Sequence, residues 1–468
     1  AETDLAVRLN AWRDRKADVR GNVAETPEPT LVDCAADIER KRLFQIIEEL
    51  VKWENSTNEE VLERARAEIR RSCGGELPPV YDPFSGGGAI PLEAQRLGLP
   101  AYGSDLNPVA VIIGKAMIEI PPKFMNMEPV HPGLKERNHY RNAEGLAEDV
   151  KYYGQWMRQK AWERIGHLYP QVDLPKECGG GKATVIAWIW ARTVPSPDPA
   201  FSDVQVPLAS NFVLSSNAGK RAWIVPRVDR VKKEIKFDIC TNGSSSDYDN
   251  AKKGTKAGRG SNFRCLISDS SITAKYIKEC GLRGEIGQTL MAIAAKGKNG
   301  RIYLPPIDSH TELAKSELPQ WRPSQRISDD RRAFTPPDYG MPTFGDLFTD
   351  RQLVALTTLG DAIEETRLKC QKDATNSGMG DDAIPIRDGG LGAFAYSEAI
   401  AVYMLFIVNK LADLANSLCN WEPGAQCPKH LFGRHVIPIV WDFAEGNIFS
   451  GSSGSIDVIT NGIFKAFE

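Results

Sequence analysis

The sequence predicts an α/β fold, and three features of residues 80–108 lead to that prediction. A short apolar run, Val80-Tyr81, follows two prolines and is typical of the end of a buried strand. Three consecutive glycines at positions 86–88 then let the backbone turn tightly and leave no side chain between it and a ligand. A helix pattern that ends at Gly98 and a weak strand over 101–103 complete a series of strand, turn, helix and strand.

Two aspartates lie at the ends of the two predicted strands. Asp82 comes directly before the glycine turn, and Asp105 follows the second strand, 23 residues further along the chain. A carboxylate about 20 residues beyond a glycine turn holds ribose hydroxyls in nucleotide-type sites. A carboxylate at position 82 would repel a phosphate, because like charges repel, and instead suits a cationic group such as an ammonium.

Phosphate-binding motifs fit this turn poorly. A P-loop needs Gly-Lys-Ser/Thr after its glycines, where this chain has Ala89-Ile90. A dinucleotide fingerprint needs a third small residue, where this chain has Pro91. Phe84 can cover an adenine ring or the carbon chain of a sulfonium group. A generic α/β crossover, in which the glycines only make a turn, is the alternative interpretation.

Composition bounds the class of protein. The chain has 468 residues, of which 42% are hydrophobic and 25% charged, which predicts a soluble globular protein of two or three domains. The net charge is −3, so any contact with nucleic acid must come from a local basic patch. Nine scattered cysteines without Cys-x-x-Cys spacing, and the lack of a signal peptide pattern, predict a reduced, cytoplasmic protein. The longest apolar run, Ala399 to Val408, is too short to span a bilayer. A start without Met predicts a fragment or a processed chain.

Five regions are predicted around this turn. They are a helical region at 1–77 that opens with an irregular lead-in over 1–33, a core with a helical extension at 78–177, a β-rich insert at 178–306, a Pro-rich linker at 307–348, and a helical region at 349–468 that returns to the core. Helices are predicted over 34–52, 109–117, 143–165 and 397–418, and Pro121-Pro122 is expected to stop the second of these. Two more helices are predicted from their caps, one after Asn58 and one after the capping box of Thr349 and Gln352. Strands are predicted over 184–190, 212–214, 223–225 and 235–237.

The stretch from Ala218 to Arg264 is the best candidate for contact with phosphates. It contains twelve basic and five acidic residues, a balance of +7 in a chain of −3. Gly254, Gly258 and Gly260 are interleaved with the basic residues and are expected to leave backbone amides open. A flexible solvated loop is the alternative interpretation. The predicted nucleic-acid contacts are Lys252, Lys253, Lys256, Arg259 and Arg264.

The turn resembles a known cofactor motif. Asp82-Pro83-Phe84-Ser85-Gly86-Gly87-Gly88 is similar to motif I of the S-adenosylmethionine-dependent amino-methyltransferases of DNA, Asp-Pro-Phe-x-Gly-x-Gly, and Ser104-Asp105-Leu106-Asn107-Pro108 resembles their second cofactor motif. The whole chain resembles the DUF1156-containing adenine-specific DNA methylases, which carry a zinc-ribbon-like insert and some of which occur in phage-defence islands such as DISARM. Further matching stretches are 42–55, 184–193, 344–353 and 440–447.

The resemblance implies a fold, an activity and a set of partners. The fold would be a Rossmann-like S-adenosylmethionine-dependent methyltransferase core with a β-rich insert and flanking helices. The activity would be N6-methylation of adenine in restriction-modification or antiviral defence, on a base flipped out of double-stranded DNA, in some cases with other subunits of a defence complex. The implied cofactor-binding residues are Asp82, Pro83, Phe84, Ser85, Gly86, Gly87, Gly88, Asp105, Leu106 and Asn107.

The chain departs from this family in three places. The Trp- and Arg-rich opening segment is not present. The zinc ribbon has lost its ligands, because Cys178 stands alone where four ligands are needed, so no metal is predicted. The catalytic Asp-Pro-Pro-Tyr lies beyond the last residue, so no catalytic residue is assigned and the chain alone is expected to lack the groups that hold the adenine. A catalytically inactive DNA- or partner-binding scaffold subunit, and an RNA or protein methyltransferase, are the alternatives.

Two other stretches contain residues that resemble catalytic groups. Thr335-Pro336-Pro337-Asp338-Tyr339 is similar to the catalytic tetrapeptide Asp/Asn/Ser-Pro-Pro-aromatic, but Thr lacks the carboxylate or amide oxygen that accepts hydrogens from the amino group. Asp338 also stands where the stacking aromatic belongs, so this assignment is rejected. Asp442 and Glu445 could form a functional carboxylate pair, although an acid at the end of a strand is more often structural.

Overall fold

The computed structural model is a mixed α/β protein with several sheets, and the α/β class predicted from the sequence is confirmed at this level. The chain separates into two compact units, Ala1–Pro121 and Pro122–Glu468, termed the N-terminal unit and the C-terminal unit. This division falls within the predicted core region 78–177. The residues that the structure describes are 2–18, 27–135, 137, 139–433 and 435–467.

The N-terminal unit consists mainly of helices around a pair of short strands. Its helices are α1 (Glu2–Asp18), α2 (Leu31–Leu50), α3 (Glu59–Ser72), α4 (Ala89–Arg96), α5 (Pro108–Gly114) and the start of α6 (Ile120–Lys123), within which the two units divide. Its strands are β1 (Val80–Asp82) and β2 (Ala101–Gly103). A 3-10 turn covers Trp53–Asn55, and a π-helical turn covers Lys115–Glu119.

Capping residues determine where these helices begin and end. The Asn58 side chain accepts a hydrogen bond from the backbone N–H of Glu60 at the start of α3, as predicted. Asn107 caps α5 in the same way, with Pro108 at the first helical position. Gly98, with φ +76°, follows α4 in the left-handed conformation that commonly ends a helix. The predicted series of strand, turn, helix and strand over 80–108 is therefore confirmed.

Two local predictions in this unit are wrong. Residues 2–18 of the predicted irregular lead-in form α1, whose Arg8 pairs with Asp4 at 2.9 Å and also with Asp37 of α2. These ion pairs connect α1 to α2, and α1 has no marked apolar stripe. The sequence of this segment therefore lacks the hydrophobic periodicity by which a helix is recognised. Residues 19–26 of the lead-in lie outside the described residues. The predicted stop at Pro121-Pro122 is also wrong, because both prolines lie within α6, directly after the π-helical turn in which the hydrogen-bond ladder has already changed.

The C-terminal unit combines several sheets with a group of long helices. Its helices are α7 (Glu144–Ile165), α8 (Ser245–Ala251), α9 (Ala274–Leu282), α10 (Asp308–Leu313), α11 (Asp350–Asn376), α12 (Ala393–Leu414) and α13 (Ile456–Lys465). Its strands are β3 (Gln171–Asp173), β4 (Lys182–Pro195), β5 (Gln205–Leu208), β6 (Val213–Ser215), β7 (Ala222–Asp229), β8 (Glu234–Cys240), β9 (Phe263–Arg264), β10 (Ser271–Ile272), β11 (Gly287–Gly297), β12 (Gly300–Leu304), β13 (Trp421–Glu422), β14 (Cys427–Pro428) and β15 (Asp442–Gly446).

Strand β4 is the centre of a six-stranded sheet. β11 and β15 pair with β4 in antiparallel fashion, β12 pairs with β11, and β3 and β5 pair with the two ends of β4. Trp188 and Trp190 of β4 are completely buried. β15 comes from the predicted C-terminal region, so the predicted insert 178–306 shares a sheet with residues far along the chain and does not form a separate module.

The smaller sheet packs on this larger one through apolar side chains. β6, β7 and β8 form a three-stranded antiparallel sheet. Trp223 and Phe237 of this sheet share one buried cluster with Ile189 of β4 and Met291 of β11. Burial of this apolar surface is what holds the basic stretch 218–264 against the rest of the C-terminal unit.

The long helices α7, α11 and α12 contact one another, and the shorter α13 packs on α7 and α12; together they form the helical part of this unit. The capping box of Thr349 and Gln352 begins α11 as predicted, with the Gln352 N–H donating to Thr349 Oγ1 at 3.2 Å. α12 is long and apolar enough to cross a membrane by length and composition alone. Half of its most apolar window is buried within the fold, as in the core helix of a globular protein.

Candidate functional site

The two predicted cofactor segments lie beside each other in the N-terminal unit. β1 and β2 are parallel and in register, with Asp82 opposite Gly103 at their carboxyl ends. The Ser85 N–H donates to the Ser104 carbonyl oxygen at 3.0 Å, and the Ser104 N–H donates to the Asp82 carbonyl oxygen at 2.9 Å. These backbone hydrogen bonds hold the glycine turn and the segment after β2 against each other, at the edge of a parallel pair where ligands bind in α/β folds.

Asp105 connects these two segments through its side chain. Its Oδ2 accepts a hydrogen bond from the Gly86 N–H at 2.8 Å, and its Oδ1 accepts one from the Asn107 N–H at 2.8 Å. These backbone donors, with that of Asn107 the stronger, lower the pKa of the Asp105 carboxyl below its ordinary value. The group is therefore an anion at neutral pH, held in place beside the glycine turn.

The glycines of the turn adopt conformations that other residues rarely take. Gly86 has φ +49° and Gly88 has φ +80°. A Cβ at Gly88 would also lie 2.9 Å from Cδ1 of Ile118, closer than real contacts allow. A Cβ at Gly87 would have no neighbour within 4 Å, so the backbone there is open to a ligand.

The side chains around the turn differ in exposure. Phe84 is 86% exposed and Leu106 is fully exposed, so neither packs inside the N-terminal unit. Asp82 Oδ1 accepts a hydrogen bond from the Phe84 N–H at 3.0 Å, which fixes the carboxylate at the start of the turn. Pro83 contributes a carbonyl oxygen that lies 3.5 Å from the Ser104 hydroxyl. The turn thus carries two carboxylates, Asp82 and Asp105, beside an exposed aromatic ring.

The predicted nucleic-acid residues follow α8 in the chain. Lys252 is the C-cap of that helix, Arg264 lies on β9, and the other three lie between them. Lys252 pairs with Asp249 at 2.8 Å, and Arg264 pairs with Asp269 at 3.2 Å, which neutralises part of their charge. Lys256 donates to the Gly260 carbonyl oxygen and Lys253 to the Asn250 side chain. The Arg259 guanidinium is exposed and makes no ion pair with any described residue. All five side chains remain on the surface, as a contact with phosphates requires.

The role predicted for one of the glycines in this stretch is wrong. Gly254 donates its N–H to the Ala251 carbonyl oxygen at 3.2 Å, and a Cβ there would lie 2.3 Å from the Ala209 carbonyl oxygen. It is needed for close packing of two backbone segments and leaves no open amide. A Cβ at Gly258 or Gly260 would have no neighbour within 4 Å.

A cavity beside these residues was missed at the sequence level. It has a volume of about 290 Å³ and lies between the start of α8 and β7. Arg221 stacks over the Tyr248 ring with its guanidinium carbon 4.5 Å from the ring centroid, and Trp223 forms another part of the wall. Arg221 comes directly before β7, two residues before Trp223 of that strand, and this short spacing was the sequence signal for the cavity.

The proposed carboxylate pair of Asp442 and Glu445 does not exist. The two residues are three apart on β15, so their side chains point to opposite faces of the sheet. Asp442 accepts a hydrogen bond from the Ser210 N–H at 2.7 Å, and burial raises its pKa to about 6. Glu445 pairs instead with Arg351, which lies far from Asp442 in sequence.

The pair of Arg351 and Glu445 forms a buried charged centre where α11 meets the large sheet. Arg351 Nε donates to Glu445 Oε1 at 2.9 Å, and both side chains are at most 2% exposed. The Thr349 hydroxyl donates to the same carboxylate oxygen at 3.0 Å, and Arg351 Nη1 donates to the Leu168 carbonyl oxygen at 3.1 Å. The guanidinium also stacks on Trp188 at 3.9 Å from the ring centroid. This centre joins two of the stretches that resemble the methylase family, 344–353 and 440–447.

The polar groups of the Thr335–Tyr339 segment make contacts within the fold. Pro336 and Pro337 are buried in a 3-10 turn, and the Thr335 hydroxyl accepts a hydrogen bond from the Ile439 N–H at 2.8 Å. Asp338 pairs with Lys278 at 2.7 Å. These contacts occupy the polar groups of the segment.

Cysteines and metal ligands are dispersed in the part of the chain that the structure describes. All nine cysteines are free thiols. Within residues 2–18, 27–135, 137, 139–433 and 435–467, no group of three or more His, Cys, Asp or Glu side chains is arranged to hold a metal ion. The buried Ser196 hydroxyl lies 3.3 Å from the Cys265 sulfur.

Comparisons of the chain with protein-family models, with curated proteins and with solved structures found no match. The resemblance to DNA methylases therefore depends on the sequence motifs themselves. The function that follows from it is a proposal.

Proposed function

We propose that the chain is the cofactor-binding and recognition portion of an S-adenosylmethionine-dependent DNA adenine N6-methyltransferase. The β1, turn, α4 and β2 unit would be the first part of a Rossmann-like core, and double-stranded DNA would contact the basic stretch 218–264. The observation that supports this most is the position of Asp105, whose carboxylate is held against the Gly86 N–H. The proposed role in restriction or phage defence comes from the resemblance alone.

The chemistry of the turn fits the parts of S-adenosylmethionine. A carboxylate has about four lone-pair sites, and the two hydrogen bonds from Gly86 and Asn107 leave sites for two ribose hydroxyls. Asp82 offers a negative charge for the ammonium of the methionine portion, and the exposed Phe84 ring can cover the adenine. The cofactor would supply an activated methyl group, and the residues of the turn would only bind and orient it.

Replacement of Asp105 by Ala is expected to weaken S-adenosylmethionine binding by about tenfold or more, because two ribose hydroxyls would lose their acceptor. Isothermal titration calorimetry of the purified chain would measure the change. Glu76→Ala, which removes an exposed carboxylate of the same unit, is the matched control and should bind as the unaltered chain does. Equal affinities of the Asp105→Ala and Glu76→Ala variants would contradict the ribose assignment.

Reversal of Lys252, Lys253 and Arg259 to Glu is expected to weaken DNA binding and to reduce the slope of log K against log salt by about three, one for each phosphate that the variant no longer neutralises. Fluorescence anisotropy of a labelled duplex across a salt series would measure the slope.

The control for this experiment changes the net charge equally at other exposed positions of the C-terminal unit. Lys275, Lys315 and Lys372 are lysines outside the basic stretch, and their reversal to Glu should leave most of the salt slope in place. A similar loss in both triple variants would mean that overall charge, and not the basic stretch, attracts the DNA.

The second candidate function is a catalytically inactive subunit that binds DNA or a partner protein. One observation favours it: in the described residues, the only segment similar to the catalytic tetrapeptide has Thr335 and Asp338 in structural contacts. An assay of DNA methylation with the full-length gene product separates the two candidates, because only the first predicts transfer of the methyl group to adenine.

A further inference from the structure

We propose that a second cavity of the C-terminal unit, lined by Trp162, binds a single unstacked nucleobase. The cavity lies where the end of α7 meets β3, β4 and the segment after β15, and its volume is about 170 Å³. An engineered cavity of about 150 Å³ holds a benzene molecule, so there is room here for one aromatic ring. This proposal concerns residues 158–449 and holds whether or not the glycine turn of the N-terminal unit binds S-adenosylmethionine.

One wall of the cavity is a fixed set of aromatic rings. Phe449 makes edge-to-face contacts with Trp162 and with Tyr169, each with ring centroids 5.1 Å apart. Gly166 lets the Trp162 ring lie directly on the backbone, since a Cβ there would be 2.7 Å from the ring. Tyr169 and Phe449 are buried, but Trp162 is 41% exposed. Trp162 therefore offers a preorganised surface on which another flat ring can stack.

The polar lining favours a neutral ligand over an anion. Arg158 is the cation of the cavity, and its charge is already paired with Asp457 at 3.0 Å. Its Nη2 also donates to the Phe449 carbonyl oxygen at 3.3 Å, and the guanidinium lies over the Phe449 ring. A phosphate in the cavity would thus find no unpaired positive charge, whereas a nucleobase needs none.

Hydrogen-bonding groups for a base edge line the same cavity. Gln171 of β3 and Thr184 of β4 are directly paired in the sheet, so their side chains lie on the same face. The Gln171 amide and the Thr184 hydroxyl make no hydrogen bond with any described residue. An amide supplies both a donor and an acceptor, which is what the edge of a nucleobase requires. Gln159 adds a second amide, held only by a 3.4 Å contact to Glu163.

The test uses adenosine 5′-monophosphate and ribose 5-phosphate as probes in saturation-transfer NMR, with the Asp105→Ala variant as the starting protein. That variant weakens the other proposed adenosine site, and dependence of the remaining binding on Trp162 would assign it to the C-terminal unit. Adenosine monophosphate is expected to bind with saturation, and ribose 5-phosphate, which lacks a base, is expected to bind at least tenfold more weakly.

Matched variants assign the binding to the cavity. Trp162→Ala and Gln171→Ala should each weaken binding of adenosine monophosphate at least fivefold, and Trp162→Phe should recover much of it because a ring remains. Trp156→Ala, earlier on α7 and outside the cavity lining, should have no effect. No saturable binding of adenosine monophosphate, equal binding of ribose 5-phosphate, or unchanged binding in both Trp162→Ala and Gln171→Ala would overturn the proposal.

A single-stranded decamer of deoxyadenosine distinguishes the source of the base. Binding at least tenfold tighter than that of adenosine monophosphate, and dependent on Trp162, would assign the cavity to a base of a nucleic acid. Equal binding of the two probes would assign it to a free nucleotide. Loss of cofactor binding at the glycine turn affects neither result, so this proposal and the proposed methyltransferase function can fail separately.

Discussion

Replacement of Glu445 by Gln is expected to lower the free energy of unfolding of the C-terminal unit by about 3–5 kcal/mol. The change keeps the size of the side chain and removes its charge. Arg351 would then remain at 1% exposure without a counter-ion, stacked on Trp188 and unable to reach water. Urea unfolding followed by tryptophan fluorescence is a suitable measurement, because eight of the ten tryptophans lie in this unit.

An exposed ion pair of the same unit provides the control. Arg164 contacts both carboxylate oxygens of Glu365 at 2.6 and 2.7 Å, but the two side chains are 42% and 39% exposed. Glu365→Gln is therefore expected to cost at most about 1 kcal/mol. If both substitutions had the same small effect, the buried charge of Arg351 would have to be solvated in some way that these contacts do not explain.

Predictions from local sequence signals succeeded where the interaction spans few residues. Asn58 and the Thr349–Gln352 box begin helices through bonds to backbone two or three residues away. Gly98 ends α4 because the left-handed conformation is a property of that one residue. The hydrogen bond between Asp105 and the Gly86 N–H joins residues 19 apart in the sequence. It was still predictable, because a series of strand, turn, helix and parallel strand brings the carboxyl ends of its two strands together.

Predictions failed where the fold depends on distant segments. The pairing of β15 with β4 joins residues about 250 apart, and no periodicity within either strand encodes its partner. The sequence therefore suggested only Asp442 as a partner for Glu445, with a structural role as the favoured interpretation, whereas the structure pairs Glu445 with Arg351 of α11. The Trp162 cavity was missed for the same reason, since Thr184 and Gln171 come from one hairpin and Phe449 from a segment far along the chain.

The stability of the C-terminal unit is expected to fall by about 4 kcal/mol between pH 4 and pH 7 through the Asp149 carboxyl on α7. Burial raises the pKa of this group from 3.8 to about 7, despite hydrogen bonds from the Val130 and His131 N–H groups and the Tyr396 hydroxyl, the last at 2.5 Å. Below pH 4 the carboxyl is protonated in both the folded and the unfolded chain, so it has no effect. Between pH 4 and 7 the unfolded chain loses this proton and the folded chain keeps it, so each pH unit costs up to about 1.4 kcal/mol.

The decisive comparison is the slope of the unfolding free energy against pH in the unaltered chain and in Asp149→Asn. The variant is expected to be less stable at every pH, because its NH₂ group faces backbone N–H donors. Its side-chain amide does not titrate, so its unfolding free energy should not fall between pH 4 and pH 7 through this residue. His131 acts in the opposite sense: burial lowers its pKa, so its contribution to stability rises with pH, and it acts in both proteins. The contribution of His131 therefore cancels when the slope of the variant is subtracted from that of the unaltered chain. Parallel slopes in the two proteins would mean that the folded chain holds Asp149 ionised by its three hydrogen bonds, and that these bonds outweigh burial.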